Sequence, residues 1–272
     1  MKTLKLIIPS IAFLLIASCG LAQETNGNAS KSQDKLLMAV SWYQHSAEMK
    51  ALYYQGFNIA KQRLDEAVAA NKDGKHLAVV VDIDETMLDN SPFEASLMMN
   101  TEFKQGWKDW TNKASAKALP GTLEFTQYAK SKDVEIFYIT NRDDSERIPT
   151  LKNLQSVGFP FATEDHLYTK SDLSETTGNT SSKEGRRAKV AKDHEIILLM
   201  GDNLNDFSMM FEDRSVNDGK DAVEKNREKF GQRFIILPNP MYGAWEKPLY
   251  NYNDKLSDEE KTKLYKEKLI KQ

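Results

Sequence analysis

Hydrophobic and polar positions along the chain follow two rhythms. From Leu36 to Ala70, apolar residues return at helical spacing: Leu36, Val40 and Tyr43, then Met49, Tyr53, Phe57, Ala60, Leu64 and Val68. Gly56 interrupts this stripe without breaking it, and Asn71-Lys72-Asp73-Gly74 supplies a turn that ends it. The second rhythm consists of short, mostly apolar runs bounded by polar residues: Ala78–Val81, Val134–Ile139, Glu195–Met200 and Phe234–Leu237. Such runs read as strands buried on both faces, the kind found in parallel sheets.

Helical patterns separate these runs. Thr122–Lys132 follows Pro120-Gly121 and turns Leu123, Tyr128 and Ala129 inward. Ser145–Val157 carries Pro149 in its first turns and is closed by Gly158. Arg186–His194 is a short helix, and Ser257–Ile270 is a charged, solvated one. Leu88 to Ala118 shows no convincing strand and holds Trp107-Lys108-Asp109-Trp110 in a helix-compatible stretch. Residues 171–185, rich in Ser, Thr, Gly, Asp and Glu, read as a surface loop leading to Lys183.

Strands alternating with helices require a mostly parallel α/β sheet covered on both faces. Sites in such sheets lie at the carboxyl ends of the strands. Three of the buried strands deliver polar groups there: Asp82 and Asp84 after the first, Thr140 after the second, Asp202 after the third. Residues i and i+2 of a strand point the same way, so Asp82 and Asp84 can share one side. Carboxylates that close repel unless a cation or a shared proton lies between them. The pattern asks for a metal.

Composition narrows the picture little. The chain has 272 residues with 37 basic and 40 acidic side chains, so its net charge of −3 gives no pull toward a nucleic-acid polymer. The amino terminus is more informative. Lys2 and Lys5 precede an apolar run from Leu6 to Ala17, too short for a comfortable membrane span and of the length of a signal-peptide core. It ends at Ile16-Ala17-Ser18-Cys19-Gly20, which resembles a bacterial lipobox, and Cys19 is the chain's only cysteine. Residues 1–18 are therefore expected to be a lipoprotein signal peptide, Cys19 the lipidated residue, and 19–34 a flexible tether rich in Asn, Gly, Ser and Gln. With no second cysteine, no intrachain disulfide can form. The expected address is extracytoplasmic, on a bacterial membrane, with the outer membrane favoured. The sequence allows a homodimer without specifying one.

Four segments taken in order carry a family resemblance. V-V-V-D-I-D-E-T, F-Y-I-T-N-R, the lysine of S-S-K-E-G-R and G-D-N-L-N-D resemble the four motifs of the haloacid-dehalogenase superfamily. More narrowly, D-I-D-E-T-M-L-D-N-S-P-F, W-K-D-W, G-D-N-L-N-D-F and the late Y-G-A-W-E resemble the class C acid phosphatases, bacterial lipoproteins of the four-aspartate type. The resemblance runs from about residue 36 to Tyr250. It implies a haloacid-dehalogenase-like Rossmannoid parallel sheet with helices on both faces and a smaller helical cap. Residues 35–272 would form the phosphatase domain, with 35–74 and 91–118 supplying much of the cap.

The resemblance also implies roles. Asp82 is the expected nucleophile, forming an aspartyl-phosphate. Asp84 is the expected acid toward the leaving alkoxide and base toward the attacking water. Mg²⁺ is the expected cofactor, held by Asp82, Asp202 and the backbone carbonyl of Asp84, with Asp206 orienting its water. Thr140 and Lys183 are expected to hold the transferring phosphoryl group. The polar loop before Lys183 leaves Lys170 as the alternative lysine. Asn141 and Arg186, the latter within an S-x-K-x-x-R pattern from Ser181, join Trp107 and Tyr242 as candidate substrate contacts. Trp107 and Tyr242 either sandwich a nucleobase or other flat ring, or pack the cap against the core. The implied substrates are small phosphate monoesters, including 5′-nucleotides and nicotinamide mononucleotide.

Two other readings stay open at this stage. A surface lipoprotein that binds phosphorylated ligands without chemistry explains the anchor and the aromatics, but not the full acid, base and metal set. A phosphomutase also carries the second aspartate, but its sugar phosphates lie inside the cell. The chain has no G-x-x-x-x-G-K-[ST], no G-x-S-x-G and no H-E-x-x-H. His45, His76, His166 and His194 show no zinc-like spacing.

Overall fold

The computed structural model describes residues 27–99, 102–172 and 181–272, with side chains from Leu36 onward. Cys19 and the signal-peptide reading lie outside the described residues. In chain order the elements are α1 (Gly27–His45), α2 (Ala47–Ala70), β1 (Leu77–Val81), β2 (Leu88–Asp89), α3 (Ser91–Leu97), α4 (Phe103–Lys113), β3 (Lys117–Ala118), α5 (Thr122–Ser131) and β4 (Val134–Ile139). There follow α6 (Arg147–Val157), β5 (Leu167–Tyr168), α7 (Glu184–Asp193), β6 (Glu195–Gly201), α8 (Lys220–Lys225), β7 (Phe234–Ile236) and α9 (Asp258–Lys268), linked in places by 3-10 turns.

The main sheet has five strands in the order β5-β4-β1-β6-β7, every neighbouring pair parallel. The β-branched run of β1 lies at its centre, flanked by β4 and β6. Alternate residues serve opposite faces, as a two-residue period demands. Leu77, Val79 and Val81 join Ile136, Tyr138 and the α2 residues Tyr53, Phe57, Ala60 and Leu64 in one core. Ala78 and Val80 join Phe137, Ile139, Val190 of α7, Phe207 and Phe234 in the other. Burial on both faces is why these strands read as mostly apolar runs, with Glu135 and Glu195 at their amino ends. The α/β fold with helices on both faces is as the sequence implied.

Some elements differ from the sequence reading, each for a local reason. The helix expected over Leu36–Ala70 is two helices, because the Ser46 hydroxyl accepts the backbone N–H of Met49 at 3.0 Å and starts α2 afresh. Helix α1 begins at Gly27, inside the stretch read as a tether. Helix α2 lies on the sheet, so that part of 35–74 is a covering layer, while α1 leans on α3. A Cβ at Gly56 would meet Leu237 at 2.8 Å, so glycine allows this close seating. Strands β2, β3 and β5 were not foreseen, since two residues carry no periodicity. The antiparallel pair β2–β3 ties down the segment read as strandless. The end of α6 is as expected, with Gly158 at φ 93°.

Candidate active site

The carboxyl end of β1 makes a tight loop before its chemistry is presented. Ile83 O accepts the N–H groups of Thr86, Met87 and Leu88, while the N–H of Asp82 continues the ladder to Met200 O at 2.9 Å. Glu85 occupies φ 55°, unusual for a side chain of its size. Four groups hold it there. Its carbonyl accepts the hydroxyls of Tyr53 and Tyr43, and its buried carboxylate accepts the hydroxyl of Tyr242 and the N–H of Asn90 at 2.8 Å. Burial and the nearby Asp84 charge push the Glu85 carboxyl well up from the ordinary range.

Asp82 is buried and accepts a hydrogen bond from the Nζ of Lys183. The same ammonium lies 2.7 Å from Oδ1 of Asp206. Asp82, Asp202 and Asp206 each offer a carboxylate oxygen within 4.8 Å of the others. Burial pushes the Asp82 carboxyl up to about 7 against the pull of Lys183, with Asp206 and Asp84 adding to the rise. Asp202 is also raised, by burial and then by Asp206 and Asp82. Burial would lower the lysine, but Asp206 and Asp82 more than offset that, so Lys183 stays charged. Three carboxylates facing one ammonium leave surplus negative charge. Hard oxygen donors with such a surplus fit a divalent cation.

The loop that presents Asp202 and Asp206 is braced throughout. A Cβ at Gly201 would meet the Asp206 carboxylate at 2.2 Å, so only glycine lets that side chain fold back over the strand end. Asp206 Oδ2 accepts the N–H of Asn203 at 3.0 Å in a capping box. Asp202 Oδ2 accepts from Asn239 at 2.8 Å. Arg214 donates to Asn203 Oδ1 and Asn205 Oδ1 at 2.8 and 3.0 Å, and Arg187 donates to the Asp206 carbonyl at 2.8 Å.

Asp84 faces a different set. Its Oδ1 accepts from Asn90 at 2.8 Å and from Arg142 Nη2 at 2.7 Å and Nε at 3.0 Å. Its Oδ2 accepts from Thr140 Oγ1 at 3.2 Å and Arg142 Nε at 3.3 Å. Thr140 is fully buried and holds the edge of the site through its N–H to Tyr168 O at 2.9 Å.

The site residues expected from sequence thus divide. Asp82, Asp202, Asp206 and Lys183 meet at one point, and Asp84 meets Thr140 beside it. Lys183, not Lys170, is the lysine paired with these carboxylates. Arg186 is buried and turned toward the protein: it donates to Thr140 O at 2.5 Å, Asn141 Oδ1 at 2.7 Å and Ser182 O at 3.0 Å. Burial and the adjacent Arg187 bring its guanidinium down to about 10. Asn141 donates to Ser181 O at 3.0 Å. Together these two stitch the end of β4 to the segment carrying Lys183. Trp107 is half-buried, its ring edge-on to Phe93 with centroids 5.1 Å apart. Tyr242 is half-buried and tied to Glu85. The supporting residues Asn90, Arg142, Arg214 and Asn239 were not singled out from sequence.

Comparison with known proteins agrees with this geometry. Residues 6–245 match the model of the haloacid-dehalogenase superfamily, subfamily IIIB (acid phosphatase). The chain belongs to that family. The fold resembles the class C acid phosphatase from Bacillus anthracis, with TM-score 0.82 and 45% identity, covering 89% of this chain and 99% of that one. A structure of the class C acid phosphatase from Bacillus anthracis with tungstate bound gives TM-score 0.80 at 44% identity, covering 89% and 99% of the two chains. Acid phosphatase 1 from Solanum lycopersicum is 26% identical over 184 residues, 65% of this chain and 62% of that protein. In this acid phosphatase family member, the paired aspartates of β1 sit where three strand ends converge.

Proposed function

We propose that this protein is a Mg²⁺-dependent phosphomonoesterase that works through an aspartyl-phosphate on Asp82. The observation that carries the reading is the convergence of Asp82, Lys183, Asp202 and Asp206 beside a second, separately held carboxylate, Asp84. Asp82, Asp202 and the Asp84 carbonyl are the proposed ligands, with Asp206 orienting bound water. When bound, the cation neutralises the phosphate oxygens that would otherwise repel an incoming carboxylate.

The chain's own groups do the rest. Asp82 Oδ attacks phosphorus and the bond to the leaving oxygen breaks, its electron pair going to that oxygen. Asp84 gives that oxygen its proton, then takes one from the water that attacks the aspartyl-phosphate, while the bond between phosphorus and Asp82 Oδ breaks and its electron pair returns to the carboxylate. Lys183 and the Thr140 hydroxyl are the proposed contacts of the transferring group, since fixed donors stabilise developing charge without reorganising. Tungstate, bound in one of the similar structures, is a tetrahedral oxyanion like the phosphoryl group.

The proposed substrates are small phosphate esters with a flat leaving group, 5′-nucleotides and nicotinamide mononucleotide among them. Support comes from two half-buried rings tied to residues that follow β1 and β4: Trp107, 5.4 Å from the Arg142 guanidinium, and Tyr242, bonded to Glu85. The proposed address is a bacterial membrane surface, reached through lipid on Cys19. Cys19→Ser is expected to move the protein out of the membrane fraction, and unchanged fractionation contradicts the anchor.

The activity is tested with purified protein, p-nitrophenyl phosphate and nucleoside monophosphates. Phosphate release that depends on Mg²⁺ is expected. Tight binding of these esters with no phosphate release would favour a ligand-binding lipoprotein instead.

A further inference from the structure

We infer that Arg142 is a positioning residue that fixes Asp84 for proton transfer. The inference rests on the phosphomonoesterase reading. Arg142 is only 3% exposed, yet it puts two nitrogens on Asp84. Its third nitrogen, Nη1, donates to Thr150 Oγ1 of α6 at 3.0 Å, and its N–H donates to Thr140 Oγ1 at 3.1 Å. Anchored at both ends, the guanidinium cannot swing without leaving buried donors unpaired, which is costly. Asp84, so gripped, still keeps 18% of its side chain exposed.

The grip is uneven. Oδ1 takes three donors at 2.7, 2.8 and 3.0 Å, whereas the contacts to Oδ2 are 3.2 and 3.3 Å. Oδ2 is therefore the oxygen that carries the proton to the leaving group, and Oδ1 is the handle. The planar fork of arginine suits such a grip, which a lysine cannot reproduce.

The same constellation reaches α4 twice. The Arg142 guanidinium lies 5.4 Å from the centroid of the Trp107 ring. The Trp110 indole donates to Asn90 Oδ1 at 2.8 Å, and Asn90 donates in turn to Asp84.

The test compares two esters whose leaving groups differ in their need for a proton. p-Nitrophenolate leaves with little help; the alkoxide of glycerol phosphate requires protonation. Arg142→Met is expected to lower kcat for glycerol phosphate by about 10²-fold more than for p-nitrophenyl phosphate, the lower end of what a positioned acid supplies. Arg142→Lys is expected to show a smaller split in the same direction, so the test survives a misfolded Arg142→Met. Thermal melts accompany both. Equal losses on the two esters in Arg142→Lys, or no loss on either, overturn the inference and make Arg142 a packing residue. A wild-type protein that hydrolyses neither ester overturns the underlying reading instead.

Discussion

The ammonium of Lys183 lies 2.7 Å from Oδ1 of Asp206, and the same nitrogen also donates to Asp82. One buried cation thus offsets two carboxylates delivered by different strands. Lys183→Met is expected to lower kcat/KM by about 10²–10³-fold, the range seen when one fixed donor to a developing oxyanion is removed. Its melt without divalent cation should also fall, because three carboxylates then face one another unrelieved. Added Mg²⁺ should recover much of that melt by binding the folded state. Differential scanning fluorimetry with and without Mg²⁺ checks this.

Chelation should abolish turnover, and added Mg²⁺ should restore it. The brace on Asp202 makes a finer prediction. Asn239 donates to Asp202 Oδ2 at 2.8 Å and fixes how the other oxygen is presented. Asn239→Ala is expected to raise the Mg²⁺ concentration for half-activity about 10- to 100-fold, the usual effect of removing a partner behind a metal ligand. A Mg²⁺ titration of activity reads this out.

Glu94 gives a pH dependence of stability outside the group formed by Asp82, Asp202 and Asp206. Burial, and then the charge of Glu246, push its carboxyl from 4.5 up to about 7. Folded Glu94 therefore holds its proton more tightly than unfolded Glu94. The stability it contributes is full below about pH 4.5 and is lost as pH rises through about 7. The loss amounts to roughly 3 kcal/mol. Glu94→Gln should flatten this slope, gaining stability over wild type at pH 8 but not at pH 4.5. Urea unfolding at the two values checks it.

Tyr242 is both a candidate stacking surface and the donor to buried Glu85. Tyr242→Phe keeps the ring but removes the donor, so stability should drop by about 1–3 kcal/mol with little change in KM for nucleoside monophosphates. Trp107→Leu is the converse. It should raise KM for a nucleoside monophosphate about 10- to 100-fold, as loss of one stacked base does, and leave KM for glycerol phosphate nearly unchanged. Equal KM shifts for both esters would mean that Trp107 only packs.

Asp82, Thr140 and Asp202 were legible as candidates because each follows a short, mostly apolar run, whereas Lys183 sits in a polar loop and was reached only through the family resemblance. Val79–Val81, Ile136–Ile139 and Ile196–Met200 announce strands, and the polar residues after them share one edge of a parallel sheet. Their supports were hidden because the partners are far apart in sequence. Arg142 grips Asp84 across 58 residues, and Tyr242 reaches Glu85 across 157. Arg186, expected at the substrate, matched a motif that does not say which way a side chain turns; its donors point inward to Thr140, Asn141 and Ser182. The histidines behave similarly. At the amino ends of the strands, His166 and His194 both pair with Glu135, at 2.8 and 3.3 Å, around the ring of Phe137. No spacing in the sequence foretold that meeting.

In the proposed reaction the Asp82 carboxylate itself attacks phosphorus. The most direct test is a single-turnover reaction with a nucleoside monophosphate and Mg²⁺, quenched in acid and digested for peptide mass spectrometry. A transient phosphoryl mass increment is expected on the peptide containing Asp82, absent in Asp82→Asn, which should fold normally and turn over nothing. Phosphate release at full rate with no increment at Asp82, or sustained turnover by Asp82→Asn, would contradict it.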